Sequence, residues 1–146
     1  MSLAGELQDL VGAEYGVSDW VTIEQSRIQQ FADATEDHQW IHVDPDRAAE
    51  GPFGRTIVHG YLTLSLLPRY APTPDIDGVR MGINYGLDRV RFITPIPVGA
   101  RIRFRTTIVE VTEFPGGAQL KLKVTVELED AERPACVVES LVRLYE

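Results

Sequence analysis

Apolar positions recur along this chain with two different periods, and the change between them falls near residue 78. Ile28, Phe31, Ala32 and Thr35 stand three and four apart, which predicts a helix ending near residue 35. Thr22-Ile-Glu-Gln25 reads as its capping box, a hydroxyl at the N-cap and an amide three residues on. Asp44-Pro45 is a second start signal, a capping carboxylate before a proline at the first helical position, and Gly51-Pro52 stops that short helix. Residues 57–67, Ile-Val-His-Gly-Tyr-Leu-Thr-Leu-Ser-Leu-Leu, lack alternation and are rich in leucine, so they predict a helix ending at Pro68. A helix that is apolar all round must be buried. Residues 1–22 carry no strong pattern, and Pro72 and Pro74 make the following stretch a loop.

Beyond residue 78 the period is two. Val79, Met81, Ile83, Tyr85 and Leu87 alternate, then the phase moves to Val90 and Phe92, which predicts a bulge near Gly86. Pro95, Pro97 and Gly99 mark a turn. Ile102, Phe104 and Ile108 carry the next strand, and Phe114-Pro-Gly-Gly117 turns into another. There Leu120, Leu122, Val124, Val126 and Leu128 alternate with polar residues, one face buried and one wet. Residues 135–145 form the last strand, with Cys136 as a small core residue. The pattern is one buried helix followed by an antiparallel meander, an α+β domain spanning 1–146.

Composition narrows the function. With 44% hydrophobic residues the chain can build a core, and its single cysteine allows no internal disulfide. No segment is long and apolar enough to span a membrane, and the N-terminus lacks the basic and apolar regions of a signal peptide, so a cytoplasmic protein is expected. A net charge of −8 argues against nucleic acid as a partner. The arginines are nevertheless uneven: Arg89, Arg91, Arg101, Arg103 and Arg105 crowd one region, most simply as a solvated outer sheet face.

The candidate chemistry lies in Asp37, His42 and the pair His59-Gly60. A carboxylate and an imidazole can share and activate a water. The N–H at a helix start can stabilise an oxyanion. Residues five apart on one helix diverge by about 140°, so Asp37 and His42 converge only if the helix ends near Asp37 and the chain turns back. Taken singly, each has an ordinary reading: Asp37 as a polar helix end, His42 as a core histidine between Ile41 and Val43, Asp44 as a cap, and Ser65 bonded to its own backbone. His38-x-x-x-His42 has the spacing of two metal ligands, but Gln39 stands where a metalloprotease needs its glutamate and Pro45 forbids a long helix, so no metal is expected.

Phe31-Ala-x-x-x-x-Asp37-x-x-x-x-His42-x-Asp44-Pro45 followed by Ile57-Val-His-Gly60 resembles the MaoC-like dehydratases, which include the (R)-specific enoyl-CoA hydratases. The likeness continues through Asn84-Tyr-Gly-Leu87, Val90-Arg-Phe92, Pro97-Val-Gly99 and Pro134-Ala-Cys136. It implies a hot-dog fold, an antiparallel sheet wrapped around a long central helix, and a homodimer. It implies hydration of trans-2-enoyl-CoA to (3R)-3-hydroxyacyl-CoA, or the reverse, with no cofactor beyond the coenzyme A of the substrate. Asp37 and His42 match the catalytic pair, and Gly60 matches the oxyanion donor. Ser65 falls where some members place a hydroxyl, and Gln39 stands where some carry asparagine to hold the water. His59 is grouped with these substrate-side residues, chiefly as a brace of the helix entrance, and Trp40 as a pocket wall or dimer contact. Arg89, Arg91 and Arg101 are candidates for the coenzyme A phosphates, and the acyl chain is expected in a tunnel beside the helix. The rival readings are a thioesterase of the same fold and a non-catalytic acyl-thioester-binding dimer.

Overall fold

The alternation of the second half becomes a sheet with one dry face. In the computed structural model, which describes residues 2–146, the even-numbered residues Ile102 to Ile108 are buried on β4 (Arg101–Phe114). Leu120, Leu122, Val124 and Val126 are buried on β5 (Gly117–Leu128), and Cys136, Val138 and Ser140 on β6 (Cys136–Tyr145). β1 (Glu14–Val17), β2 (Val21–Thr22) and β3 (Met81–Phe92) complete a six-stranded sheet in the order β1-β4-β5-β6-β3, with β2 also on β4 and every pairing antiparallel. Phe114 pairs with Gly117 across a two-residue turn in which Gly116 takes φ 92° after Pro115. A Cβ on Gly117 would lie 2.0 Å from the Leu144 carbonyl oxygen, so only glycine lets the two strands approach there.

The helices cover the dry face. α1 (Leu3–Gln8), capped by the Ser2 hydroxyl, buries Leu3 and Leu7 in the same core as Ile102, Phe104 and Leu122. α2 (Gln25–Thr35) buries Ile28 and Ala32. Two short turns follow, α3 (Trp40–Val43) and α4 (Pro45–Ala49), the second capped as expected by the Asp44 carboxylate on the Arg47 N–H at 3.1 Å. α5 (Gly60–Ser65) and α6 (Leu67–Tyr70) lie after them. Residues 93–100 then cross the strand ends from β3 to β4, and residues 56–58 rest on this crossing through Val58 N–H to the Ile96 carbonyl and Val98 N–H to the Thr56 carbonyl, both 2.9 Å.

Two helical expectations are corrected. Thr22 lies in β2, not at an N-cap: Ile23 is fully buried and bonded on both sides to residues 99–100, which keeps the chain extended until Glu24. The Gln25 side chain is therefore free for another task. The central helix is also shorter and less enclosed than an all-round apolar segment implies. Pro68 cannot donate to the Leu64 carbonyl, so the helix breaks at Leu66 and resumes for one turn as α6. Tyr61 is 69% exposed, and Ser65 also faces outward.

β3 forms an open edge of the sheet. It carries two bulges against β6, at Tyr85 and at Asp88, where sequence suggested one. Each bulged residue is held from the outer face, Tyr85 by the Arg143 guanidinium 3.7 Å from its ring centroid and Asp88 by Lys121 at 2.8 Å. The register puts Gly82, Asn84, Leu87, Val90 and Phe92 on the helix side, with Met81, Ile83, Arg89 and Arg91 on the outer side.

Candidate active site

α2 ends where the chain has to turn. Glu36 takes the left-handed conformation, φ 62°, and swings the backbone out of the helix just before Asp37. Gln39 then donates its backbone N–H to Asp37 Oδ1 at 3.4 Å, and the single turn of α3 brings His42 back. Asp37, His42 and His59 now each present a side-chain O or N within 4.8 Å of the others. The convergence that a continuous helix forbids is thus achieved by one turn and one short helix.

His42 is buried, and its Nδ1 lies 2.7 Å from the Ile57 carbonyl. A carbonyl only accepts, so Nδ1 carries the proton, and in the neutral tautomer Nε2 is the bare lone pair. His59, 2% exposed, stacks on His42 with 3.9 Å between ring centroids, and its Nε2–H donates to the Asp37 carbonyl at 3.1 Å. Burial holds the His59 imidazole below its ordinary pKa, which keeps it uncharged. Its Nδ1 is buried and has no hydrogen-bond partner among the described residues. His59 thus braces both members of the pair, Asp37 by its backbone and His42 by its ring.

Gly60 opens α5, where a helix N–H has no intrahelical acceptor. Gly60, His42, Thr63, Phe92 and Cys136 line one cavity of about 260 Å³. A Cβ on Gly60 would meet the Phe92 ring at 3.1 Å, so glycine is needed first for the packing of β3 against the helix entrance. At six residues α5 is too short for a large macrodipole, and the useful donor is the local N–H itself. A second cavity of about 620 Å³ runs between α5–α6 and β3, β5 and β6, walled by Leu64, Leu67, Leu87, Leu122, Val142 and Leu144.

The remaining expected residues fall as follows. Ser65 borders the larger cavity, but its hydroxyl donates to the Tyr61 carbonyl at 2.6 Å, the backbone bond weighed from sequence. Gln39 serves Asp37 through its backbone, and its exposed side chain makes no hydrogen bond among the described residues. His38 is exposed and bonded to Asp33 at 2.9 Å, away from any shared ligand set with His42. Trp40 lines neither cavity; it packs on Gly51, with the Arg47 guanidinium 4.4 Å from its ring. Arg89, Arg91 and Arg101 are not gathered at a cavity mouth. Arg91 turns back onto the Val90 carbonyl, and Arg101, on β4, is separated from β3 by two strands and paired with Glu129. Arg103 and Arg105 share Glu127, as an outer face would have them. Asp37, His42 and His59 are also the residues that could hold a metal by proximity, yet the two rings lie face to face rather than aiming both lone pairs at one point. Two residues were missed as parts of the site, Gln25, read from sequence only as a capping amide, and Thr56, not singled out at all. Gln25 donates Nε2–H to the His42 carbonyl at 2.8 Å and accepts from the Thr56 hydroxyl at 2.5 Å.

A one-faced antiparallel sheet, with helices on its dry side and a carboxylate–imidazole pair beside a helix-start N–H, is the hot-dog architecture. Residues 6–131 match the MaoC like domain, and the chain belongs to that family. It is 52% identical over 140 residues to 3-hydroxyacyl-thioester dehydratase Z of Mycobacterium tuberculosis, covering 94% of this chain and 93% of the relative. It is 50% identical to nodulation protein N of Rhizobium leguminosarum bv. viciae, over 92% of this chain and 86% of that one. Among solved structures, the (R)-hydratase from A. caviae involved in PHA biosynthesis superposes with a TM-score of 0.70 at 25% identity, covering 92% of this chain and 96% of that chain.

Proposed function

We propose that the protein catalyses the reversible addition of water to a trans-2-enoyl thioester, giving the (3R)-3-hydroxyacyl thioester. One observation carries this reading: the bare Nε2 of His42 and the Asp37 carboxylate converge, while His42 and Gly60 line the same cavity. Water held between carboxylate and imidazole gives its oxygen to C3 and its proton to the pair. The pair returns a proton to C2 on the same face, so one water is consumed and none of its atoms is lost. Between these events the thioester oxygen carries enolate charge, and the Gly60 N–H donates a hydrogen bond to it. The 52% identical relative named as a dehydratase supports the same chemistry read in either direction.

The acyl chain enters the larger cavity, whose walls are mostly aliphatic. The protein works as a homodimer, because β3 leaves twelve residues of unpaired edge with Met81, Ile83, Tyr85, Leu87 and Phe92 between 43% and 52% exposed. A second copy pairing at that edge removes an aggregation hazard and covers apolar surface. Coenzyme A as the carrier, the absence of a cofactor and a cytoplasmic site of action belong to the same proposal. Among the described residues no helix is long and apolar enough to cross a membrane.

Crotonyl-CoA and longer enoyl-CoAs should lose their conjugated absorbance on mixing with the protein, with or without a chelator. Release of free thiol instead would establish the thioesterase. Binding without turnover at any chain length would establish the acyl-binding dimer.

A further inference from the structure

We infer that Gln25 is a positioning residue for His42, acting through an amide whose orientation Thr56 dictates. The polarity of this chain of bonds is fully determined. The Thr56 hydroxyl donates to Gln25 Oε1 at 2.5 Å, because a carbonyl oxygen cannot donate. That bond turns the Nε2 end of the amide toward the His42 carbonyl, 2.8 Å away. Thr56 is 1% exposed and its segment is anchored on residues 96–98, so the starting point is rigid. α2 is anchored by buried Ile28 and Ala32, so the other end is rigid as well.

The bond matters because α3 is only four residues long and cannot hold its own shape. Its position rests on three ties to neighbouring segments. The Ile57 N–H donates to the Ile41 carbonyl at 3.0 Å, His42 Nδ1–H donates to the Ile57 carbonyl, and the Gln25 amide holds the His42 carbonyl. The first two tie α3 to the 56–57 segment, and only the third reaches it from α2, the helix whose end carries Asp37. Gln25 therefore links the two halves of the acid–base pair. Losing it lets His42 rotate away from Ile57, which loosens the selected tautomer and moves Nε2 off the water. A displacement of about 1 Å at a reacting group is enough to cost on the order of 100-fold in rate.

This inference rests on the hydration proposed above, and its test has an arm that does not. Gln25→Met keeps the side-chain length and removes both bonds, Thr56→Val removes only the hydroxyl donor, and Thr56→Ser keeps it. With enoyl-CoA as substrate, Gln25→Met and Thr56→Val should lower kcat by about 10- to 100-fold while KM stays within about threefold. Thr56→Ser should recover near-wild-type kcat, and the double variant should be no slower than Gln25→Met, since both changes act through one amide. Without substrate, ¹⁵N spectra of the imidazoles are readable because the chain has only 3 histidines. In Gln25→Met the His42 signals should move toward a mixture of tautomers, whether or not the protein is a hydratase. A Gln25→Met protein with wild-type kcat, a loss confined to KM, or unchanged His42 nitrogen shifts would overturn the assignment.

Discussion

The rings of His42 and His59 are stacked, 3.9 Å between centroids and 23° from parallel. Two imidazolium ions would repel in that arrangement, and burial keeps the His59 ring uncharged. The His59 pKa is below its ordinary value of 6.5 in the folded protein. Between that value and the lower folded one, the unfolded chain binds more protons, so stability falls as pH drops below about 6.5. Urea midpoints at about pH 7.5 and about pH 5.5 should show this loss in the wild type and a smaller loss in His59→Phe. Equal losses in both proteins would exclude His59 as the source.

Asp37→Asn and His42→Gln should each reduce kcat by roughly 100- to 10,000-fold, the range expected for removal of an acid–base group. Circular dichroism and the melting temperature should change little for Asp37→Asn, because Asp37 is exposed. Near-wild-type turnover in either variant would remove that residue from the pair.

Gly60→Ala should destabilise the protein by about 1–2 kcal/mol, because its methyl group meets the Phe92 ring at 3.1 Å. Phe92→Ala in the same chain should restore most of the melting temperature. If the double variant melts no higher than Gly60→Ala, the glycine is required by something other than this ring.

Glu36 sustains a left-handed conformation at the C-cap of α2 without being glycine. Glu36→Gly should stabilise the fold by about 1 kcal/mol by relieving the Cβ crowding, which thermal unfolding would register as a rise of about 3 °C.

A lysine at Ile83, on the open edge of β3, should leave each protomer folded and weaken association. Sedimentation velocity should find a dimer for the wild type and a concentration-dependent monomer for Ile83→Lys. A monomeric wild type would defeat the dimer directly.

Much of this was legible in the chain. The alternation on β5 named its buried face correctly because both neighbours of that strand are present in the protomer. β3 was harder to read. Its apolar odd residues Met81 and Ile83 face outward, while Gly82 and Asn84 occupy the helix side next to the larger cavity. A period of two locates a strand but does not say which of its faces packs on the helices. Asp37, His42 and Gly60 were recoverable from two ordered motifs. Gln25 was not, because its partners stand 17 and 31 residues away and nothing local distinguishes it from a capping amide.

The paired bulges of β3 cancel. The extra residue at Tyr85 inverts the in–out phase, and the one at Asp88 inverts it back. Deleting Asp88 would therefore join Leu87 on Ser140 directly to Arg89 on Glu139, leaving Arg91 outside and Phe92 beside Gly60 while removing the ion pair to Lys121. Length changes of a single residue are thus absorbed at the two bulges, where a residue can be lost without turning any neighbour over.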